Sequence, residues 1–224
     1  MPPEAFFGKL GVLAGGGALP RLLAGAWRDR GGEVFVLAFD GITDDDSVSG
    51  TDHARIGLGK VGEAIRLLRD NGCDSVVMAG AMRRPSWSAL TPDLRGAALI
   101  PRLAAAKGDD GILRVIAAEL ESEGFRVVGA DDILSDLLAA PGALGARQPN
   151  AADWRDIHAA AAAALAIGTA DAGQAAVARD GVVIGTEGAA GTDALLEQCA
   201  AVGGQGGVLV KRPKPGQDRR ADLP

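Results

Sequence analysis

The chain contains no tyrosine, and aromatic residues make up only 4% of its 224 positions. Its core therefore has to be built from Ala, Leu, Val and Ile. Cysteine is nearly absent too. Cys73 and Cys199 stand alone, with no CxxC and no Cys/His cluster, which excludes a disulfide framework and a structural zinc site of the usual spacing. This usage fits a reducing cytosol. The two histidines, His53 and His158, have no partner at ligand spacing. No run of about 18 apolar residues exists, so no membrane-spanning helix is expected. The N-terminus, MPPEAFFGKL, lacks the apolar stretch of a secretory signal. Positive charge is in deficit, at net −6, which argues against nucleic acid as a partner. Neither GxSxG nor GK[ST] occurs, so a serine triad and a Walker loop have no support.

What remains is an ordinary soluble composition, 47% hydrophobic and 23% charged, with 33 glycines. The most apolar stretch, HAAAAAALAIG (158–168), reads as a packed helix, and a peripheral membrane contact stays open. Apolar runs alternate with helical patterns. GVLA leads into Gly15-Gly16-Gly17, and Pro20 follows where a first helical turn tolerates it. EVFVLAFD (33–40) is apolar nearly throughout, as a strand covered on both faces would be. Residues 61–72 read as a helix, DSVVMAG (74–80) as a strand, 99–124 as two helical stretches broken at Lys107-Gly108, and FRVVGA (125–130) as a strand. This is the pattern of a doubly wound α/β domain.

Composition changes at LAAPGALGARQPN (138–150), the best linker candidate. Beyond it come a helix, a hairpin with Asp180-Gly181 at its turn, a second helix and a strand. The expected organisation is α/β: a Rossmann-like parallel-sheet domain over 1–138 and a smaller α/β domain over 139–224.

Several clusters could carry chemistry. The glycines 15–17 could admit a phosphate at a helix N-terminus, or simply supply the positive φ of a tight turn. A dinucleotide fingerprint is broken by Pro20, although Asp40 could mimic a ribose-binding acid. Gly80 would lie on the same rim, ahead of Arg83-Arg84-Pro85-Ser86-Trp87, a cation–indole loop or a solvated one. Lys107-Gly108-Asp109-Asp110 reads as helix capping, with phosphate or metal binding as the functional alternative. Glu187, Thr192 and Asp193 surround a glycine-rich turn; Thr192 is a natural N-cap, and the oxygen set would also suit Mg2+. Residues 211–224, KRPKPGQDRRADLP, invert the local charge with Lys211, Arg212, Lys214, Arg219 and Arg220 against Asp218 and Asp222. They could clamp a diphosphate or form a frayed terminus.

Taken together, LAGGGALP, the AG closing the 74–80 strand, AAAKGDDGILR, TEGAAGTD and above all KRPKPGQDRRADLP resemble the UDP-2,3-diacylglucosamine pyrophosphatases of the LpxI type. The likeness runs from about residue 9 to the last residue. It implies hydrolysis of UDP-2,3-diacylglucosamine to UMP and 2,3-diacylglucosamine 1-phosphate (lipid X) in lipid A biosynthesis, with Mg2+ or Mn2+. It implies a Rossmann-like domain followed by a distinct α/β domain. It places the critical acid of the terminal DxP motif on Asp222, with attack of water at the sugar-side phosphorus. Substrate would be met by Gly15, Gly16, Gly17, Gly80, Lys107, Thr192, Lys211, Lys214 and Arg220, and metal by Asp222, Asp193 and Glu187. Members of that family continue past this motif, so the second domain is expected to lack its last elements. A cytoplasmic location, peripheral to the inner membrane, and a homodimer are compatible with the resemblance. A nicotinamide oxidoreductase and a non-catalytic nucleotide-sugar or lipid binder are the competing readings.

Overall fold

The computed structural model describes residues 8–82, 90–106, 108–135, 138–203, 206–218 and 220. Two compact units divide the chain. The first reaches Leu138 and also takes in Arg220; the second runs from Ala139 to Asp218.

In the first unit the expected alternation is realised. In chain order come β1 (Lys9–Ala14), α1 (Leu19–Asp29), β2 (Glu33–Phe39), a short α2 (Asp45–Val48), β3 (His53–Ile56), α3 (Val61–Asp70), β4 (Cys73–Ala79), α4 (Leu94–Ala105), α5 (Gly108–Ser122), β5 (Arg126–Val127) and a short α6 (Ala130–Ile133). The sheet is wholly parallel in the order β3-β2-β1-β4-β5, with Val12 opposite Val36 on one side and Val77 on the other.

Continuous apolar strands were the signal for this arrangement, and their side chains divide by parity. Val34, Val36 and Ala38 join Leu10, Val12, Leu23, Ala24 and Trp27 in a core under α1. Phe35, Leu37 and Phe39 join Ile65, Leu68, Ala117 and Leu120 under α3 and α5. Helix α1 reaches the sheet with Pro20, Leu23, Ala24 and Trp27, the spacing of one helical face. The chain changes direction between β1 and β4, so the crevice at their carboxyl ends is the switch point where open α/β sheets bind ligands.

The second unit contains α7 (Ala151–Thr169), β6 (Ala175–Arg179), β7 (Val182–Thr186), α8 (Gly191–Gly203) and β8 (Val208–Lys211). Asn150 starts α7, its side-chain oxygen accepting the amides of Ala152 and Asp153 at 2.7 and 3.0 Å. The three strands are antiparallel in the order β7-β6-β8. Asp180 (φ 52°) and Gly181 (φ 79°) form the hairpin turn that the Asp-Gly pair predicts. The buried Asp156 of α7 accepts the Gly181 amide at 2.5 Å and ties helix to hairpin.

Alanine lets α7 lie close on β6: Ala160 and Ala164 pack on Ala176 and Ala178. Leu195 and Cys199 of α8 cover the opposite face through Ala175 and Val177. Among the described residues, no helix is long and apolar enough to cross a membrane.

Candidate functional site

In the first unit the candidate site is the switch-point crevice, and its glycines do something other than cradle a phosphate. The Gly15 amide donates to Ala79 O at 2.7 Å, the Gly16 amide to Ala81 O at 2.8 Å, and the Ala81 amide returns to Gly16 O at 2.8 Å. A Cβ on Gly15 would stand 2.6 Å from Ala81 O, and one on Gly80 2.7 Å from Gly16 O. Both glycines are there so that the two loops can meet backbone to backbone. Gly17, at φ 89°, turns the chain into α1, and its amide donates to Asp44 Oδ2 at 2.7 Å. The three amides therefore have protein acceptors, which corrects the expectation of free donors for a phosphate.

Sequence reasoning passed over Asp44 in favour of Asp40. The amide of Asp40 donates to Ile56 O at 3.0 Å, extending the parallel ladder, whereas Asp44 sits on the glycine loop. Ser47 joins it, donating to Gly17 O at 3.1 Å. The acid-rich run after the second strand was the available signal.

Helix α5 starts at Gly108 as expected, but Asp110 does not cap it. One carboxylate oxygen pairs with Arg114 at 3.1 Å, one turn on, and the other is buried with no partner among the described residues. Because Arg114 lies at i+4, the side chain is drawn along the helix rather than back onto the free amides. Lys107 and residues 83–89, including the Arg-Arg-Pro-Ser-Trp loop, lie outside the described residues, as does the side chain of Asp109.

In the second unit the structure brings Glu187 and Thr192 together but not as expected. Thr192 falls inside the first turn of α8, not before it, and its hydroxyl donates to Glu187 Oε1 at 2.5 Å. The other oxygen, Oε2, accepts the Gln174 amide at 2.7 Å. Glu187 is buried and works as a staple between β6, the strand-to-helix turn and α8, whereas Asp193 is exposed. Among the described residues, no group of three His, Cys, Asp or Glu side chains converges as a metal site. The donors present do not by themselves fit a divalent cation: both oxygens of Glu187 already accept protein hydrogens.

The first half of the basic segment continues the second unit's sheet. Lys211 ends β8 opposite Ala175, and the Arg212 amide extends the ladder to Gln174 O at 2.9 Å. Lys214 Nζ lies 2.8 Å from Asp171 Oδ1. Arg220, grouped with the first unit, meets Glu121 Oε1 at 2.6 Å. Among the described residues, Lys211 and Arg212 are the cations of this segment without an ion-pair partner. Asp222 lies outside the described residues.

Sequence reasoning missed Asp171 altogether. An Asp directly after an Ala-rich helix, where the chain must leave through the left-handed region, was the signal that could have found it.

Comparison with known proteins covers both units. The model of the LpxI N-terminal domain matches residues 9–137, and that of the LpxI C-terminal domain matches 140–224. The UDP-2,3-diacylglucosamine pyrophosphatase LpxI of Caulobacter vibrioides is 41% identical over 226 aligned residues, spanning 96% of this chain and 80% of that protein. Among solved structures, the Bordetella bronchiseptica enzyme WbmG in complex with NAD is 14% identical. It overlaps 54% of this chain and 37% of its own, at a TM-score of 0.35, too remote to carry an argument.

Proposed function

The chain belongs to the LpxI family, and from that premise we propose that it hydrolyses UDP-2,3-diacylglucosamine to UMP and 2,3-diacylglucosamine 1-phosphate, a step of lipid A biosynthesis. The observation that carries this reading is the 41% identity running through 96% of the chain, across both units.

The reaction adds water across a diphosphate. The water oxygen bonds to the sugar-side phosphorus, the bond from that phosphorus to the bridging oxygen breaks, and UMP leaves with the bridging oxygen. One proton of the water is taken up by the catalytic carboxylate and then released to solvent. Two requirements follow from this chemistry. Negative charge on the diphosphate must be offset, and the water must be aimed in line with the leaving group. Lys211 and Arg212, which have no ion-pair partner among the described residues, supply the first. In this reading Asp222 supplies the second, as the acid that orients or deprotonates the water.

The family's divalent cation, Mg2+ or Mn2+, is kept as a requirement of the proposal; the described residues give it no ligand set, and no step is drawn through it. The reading places the chain in the cytoplasm, meeting the membrane peripherally where diacylated substrate and lipid X reside. It leaves monomer and homodimer equally compatible.

The test is UMP release from UDP-2,3-diacylglucosamine by the purified 224-residue chain, with Mg2+ and with EDTA. Release that EDTA abolishes is expected. Asp222→Asn should lower kcat by on the order of a thousandfold, the scale of a lost general base. Ligand-induced thermal stabilisation without any UMP release would replace the hydrolase reading with that of a nucleotide-sugar binder.

A further inference from the structure

Helix α4 is turned inside out. A surface helix ordinarily shows charged residues to solvent and apolar ones to the core. Helix α3, which packs beside it, does so: Glu63, Arg66, Arg69 and Asp70 are exposed, and Ile65 and Leu68 are buried. In α4 the exposed residues are Leu94, Ala97, Ala98, Pro101, Ala104 and Ala105, with Arg102 at their side. At about 3.6 residues per turn the apolar ones form one continuous stripe. Leu94 is 94% exposed, more than any other large apolar residue described.

The charges of α4 lie on the flank of that stripe and reach toward α5. Arg95 Nε donates to Glu119 Oε1 at 2.7 Å, and its Nη2 pairs with Glu123. Arg102 Nη1 lies 3.3 Å from Glu119 Oε2. Underneath, Gly96 and Leu99 are buried. Gly96 lets the backbones approach so closely that a Cβ there would stand 2.0 Å from Gly59 O. Ion pairs and a close backbone approach thus hold α4 to its unit, and its outer face takes no part in the fold.

Three observations indicate what that face meets. A helix face of small side chains is a ridge, whereas a docked peptide helix or strand needs a groove or a sheet edge. A bilayer interface accepts such a ridge directly. Second, α4 contains no acid, although the chain as a whole has net charge −6. Its arginines stand beside the stripe, where long cationic side chains reach headgroup phosphates. Third, Asp93, just before α4, accepts the Glu63 amide in the first turn of α3 at 3.0 Å. Helix α3 follows the carboxyl end of β3, so α4 sets out from the end of the sheet that carries the switch-point crevice.

We propose that the outer face of α4 is the surface by which the protein meets a phospholipid bilayer, with Leu94 and its stripe at the acyl boundary and Arg102 at headgroup level. The inference rests on the hydrolase reading for its purpose, since a diacylated substrate has to be drawn from a membrane, but the contact itself can be measured without turnover. One leucine and a few small residues bury little apolar area, so the binding is weak and reversible.

The experiment sediments the full chain with vesicles of phosphatidylcholine and phosphatidylglycerol, as wild type, Leu94→Asp, Ala98→Asp and Leu22→Asp. All three positions are exposed, so none of the substitutions disturbs the core. Leu22 is 50% exposed on α1, across the sheet from α4, and is the control. UMP release is read in parallel from substrate embedded in the vesicles and from substrate dispersed in detergent.

Wild type should bind the vesicles. Leu94→Asp and Ala98→Asp should each lower the partition coefficient by on the order of tenfold, the scale of losing one buried leucine. Leu22→Asp should change nothing. The α4 variants should slow release from vesicles by a similar factor and leave the rate in detergent as it is. The proposal is overturned if wild type does not bind, if the α4 variants bind as well as wild type, or if Leu22→Asp is as impaired as they are. Equal slowing in detergent also overturns it, by placing the face within the reaction site. A wild-type dimer that Leu94→Asp dissociates, without vesicle binding, would assign the face to a second copy of the chain instead. Failure of the hydrolase reading looks different: wild type releases no UMP from either form of substrate, while the vesicle binding of the four proteins still decides for or against α4.

Discussion

The Asp93 carboxylate accepts the amide of Glu63 at 3.0 Å, thirty positions earlier in the chain, while its other oxygen caps its own helix through the Gly96 amide at 2.7 Å. One side chain thus serves the N-termini of α3 and α4. Burial alone would raise the carboxyl's pKa, but the hydrogen bonds from Gly96, Glu63 and Gly62 outweigh it and hold it below the usual value.

A lowered native pKa means the unfolded chain takes up this proton first. The stabilisation is therefore complete above the unfolded value and is lost as pH falls through the native one. Asp93→Ala should destabilise the protein at neutral pH by about 1 kcal/mol, the usual worth of a cap. Urea unfolding of wild type and variant should begin to converge as the solution is acidified below about pH 4 and meet only below the lowered native value, where the folded wild-type carboxyl is protonated too. Parallel curves with a constant offset down to the lowest accessible pH would show that the charge plays no part.

The contact between Gly15 and Gly80 makes a second, sharper prediction. Gly15→Ala places a methyl group 2.6 Å from Ala81 O and 2.7 Å from Gly80 O, both backbone atoms that cannot swing away. Gly17→Ala meets open space and suffers only from φ 89°. The first should cost about 2 kcal/mol or more, in the range of overpacking, and the second about 1 kcal/mol, the left-handed penalty. Thermal or urea unfolding ranks them. The opposite order would mean that the two loops are not packed as described.

The architecture could be read from the sequence because it is written in local patterns. Val12, Val36 and Val77 sit in continuous apolar runs that only a doubly covered sheet can use, and Asp180-Gly181 names its own turn. The candidate site was less legible, because its decisive hydrogen bonds join distant residues. Nothing local to Gly17 indicates that Asp44 will take its amide, and nothing near Lys214 points to Asp171, 43 positions away. Thr192 has the chemistry of a cap, yet it turns to Glu187 because a buried carboxylate oxygen demands a donor more strongly than an exposed helix end does. Asp110 was expected to cap for the same local reasons, and pairs with Arg114 instead.

Cys73 opens β4 under the second core cluster, and burial pushes its thiol up to about 11. The nearby Lys9 pulls the other way without reversing the effect. The thiolate is the reactive form, so Cys73 should resist a disulfide reagent such as DTNB at pH 8 in the native protein and react promptly in denaturant. The raised native pKa also sets a sign for stability. Between about pH 9 and 11 the folded chain holds a proton the unfolded chain has released, so stability falls as pH rises through that window. Cys73→Ala should remove this component of the alkaline loss while costing some core packing. Rapid native labelling of Cys73 would contradict its burial.

Glu187 separates a structural carboxylate from a metal ligand. Its two oxygens accept the Thr192 hydroxyl and the Gln174 amide, so the side chain is fully employed in holding β6, the turn and α8 together. Glu187→Gln keeps an oxygen for the Gln174 amide and turns its NH2 toward Thr192, whose hydroxyl changes from donor to acceptor, so both charge-assisted bonds become neutral ones. That exchange should cost about 1 kcal/mol of stability. The Mg2+ concentration giving half-maximal UMP release should stay where it is in wild type, because a staple remote from the metal changes how much protein is folded and not how the cation is held. A ligand would behave differently. Replacing one metal-bound carboxylate by an amide weakens cation binding directly, so the magnesium titration would shift to higher concentration with little change in the unfolding curve. The two measurements on one variant thus point in opposite directions for the two roles, and the hydrogen bonds of Glu187 predict the first.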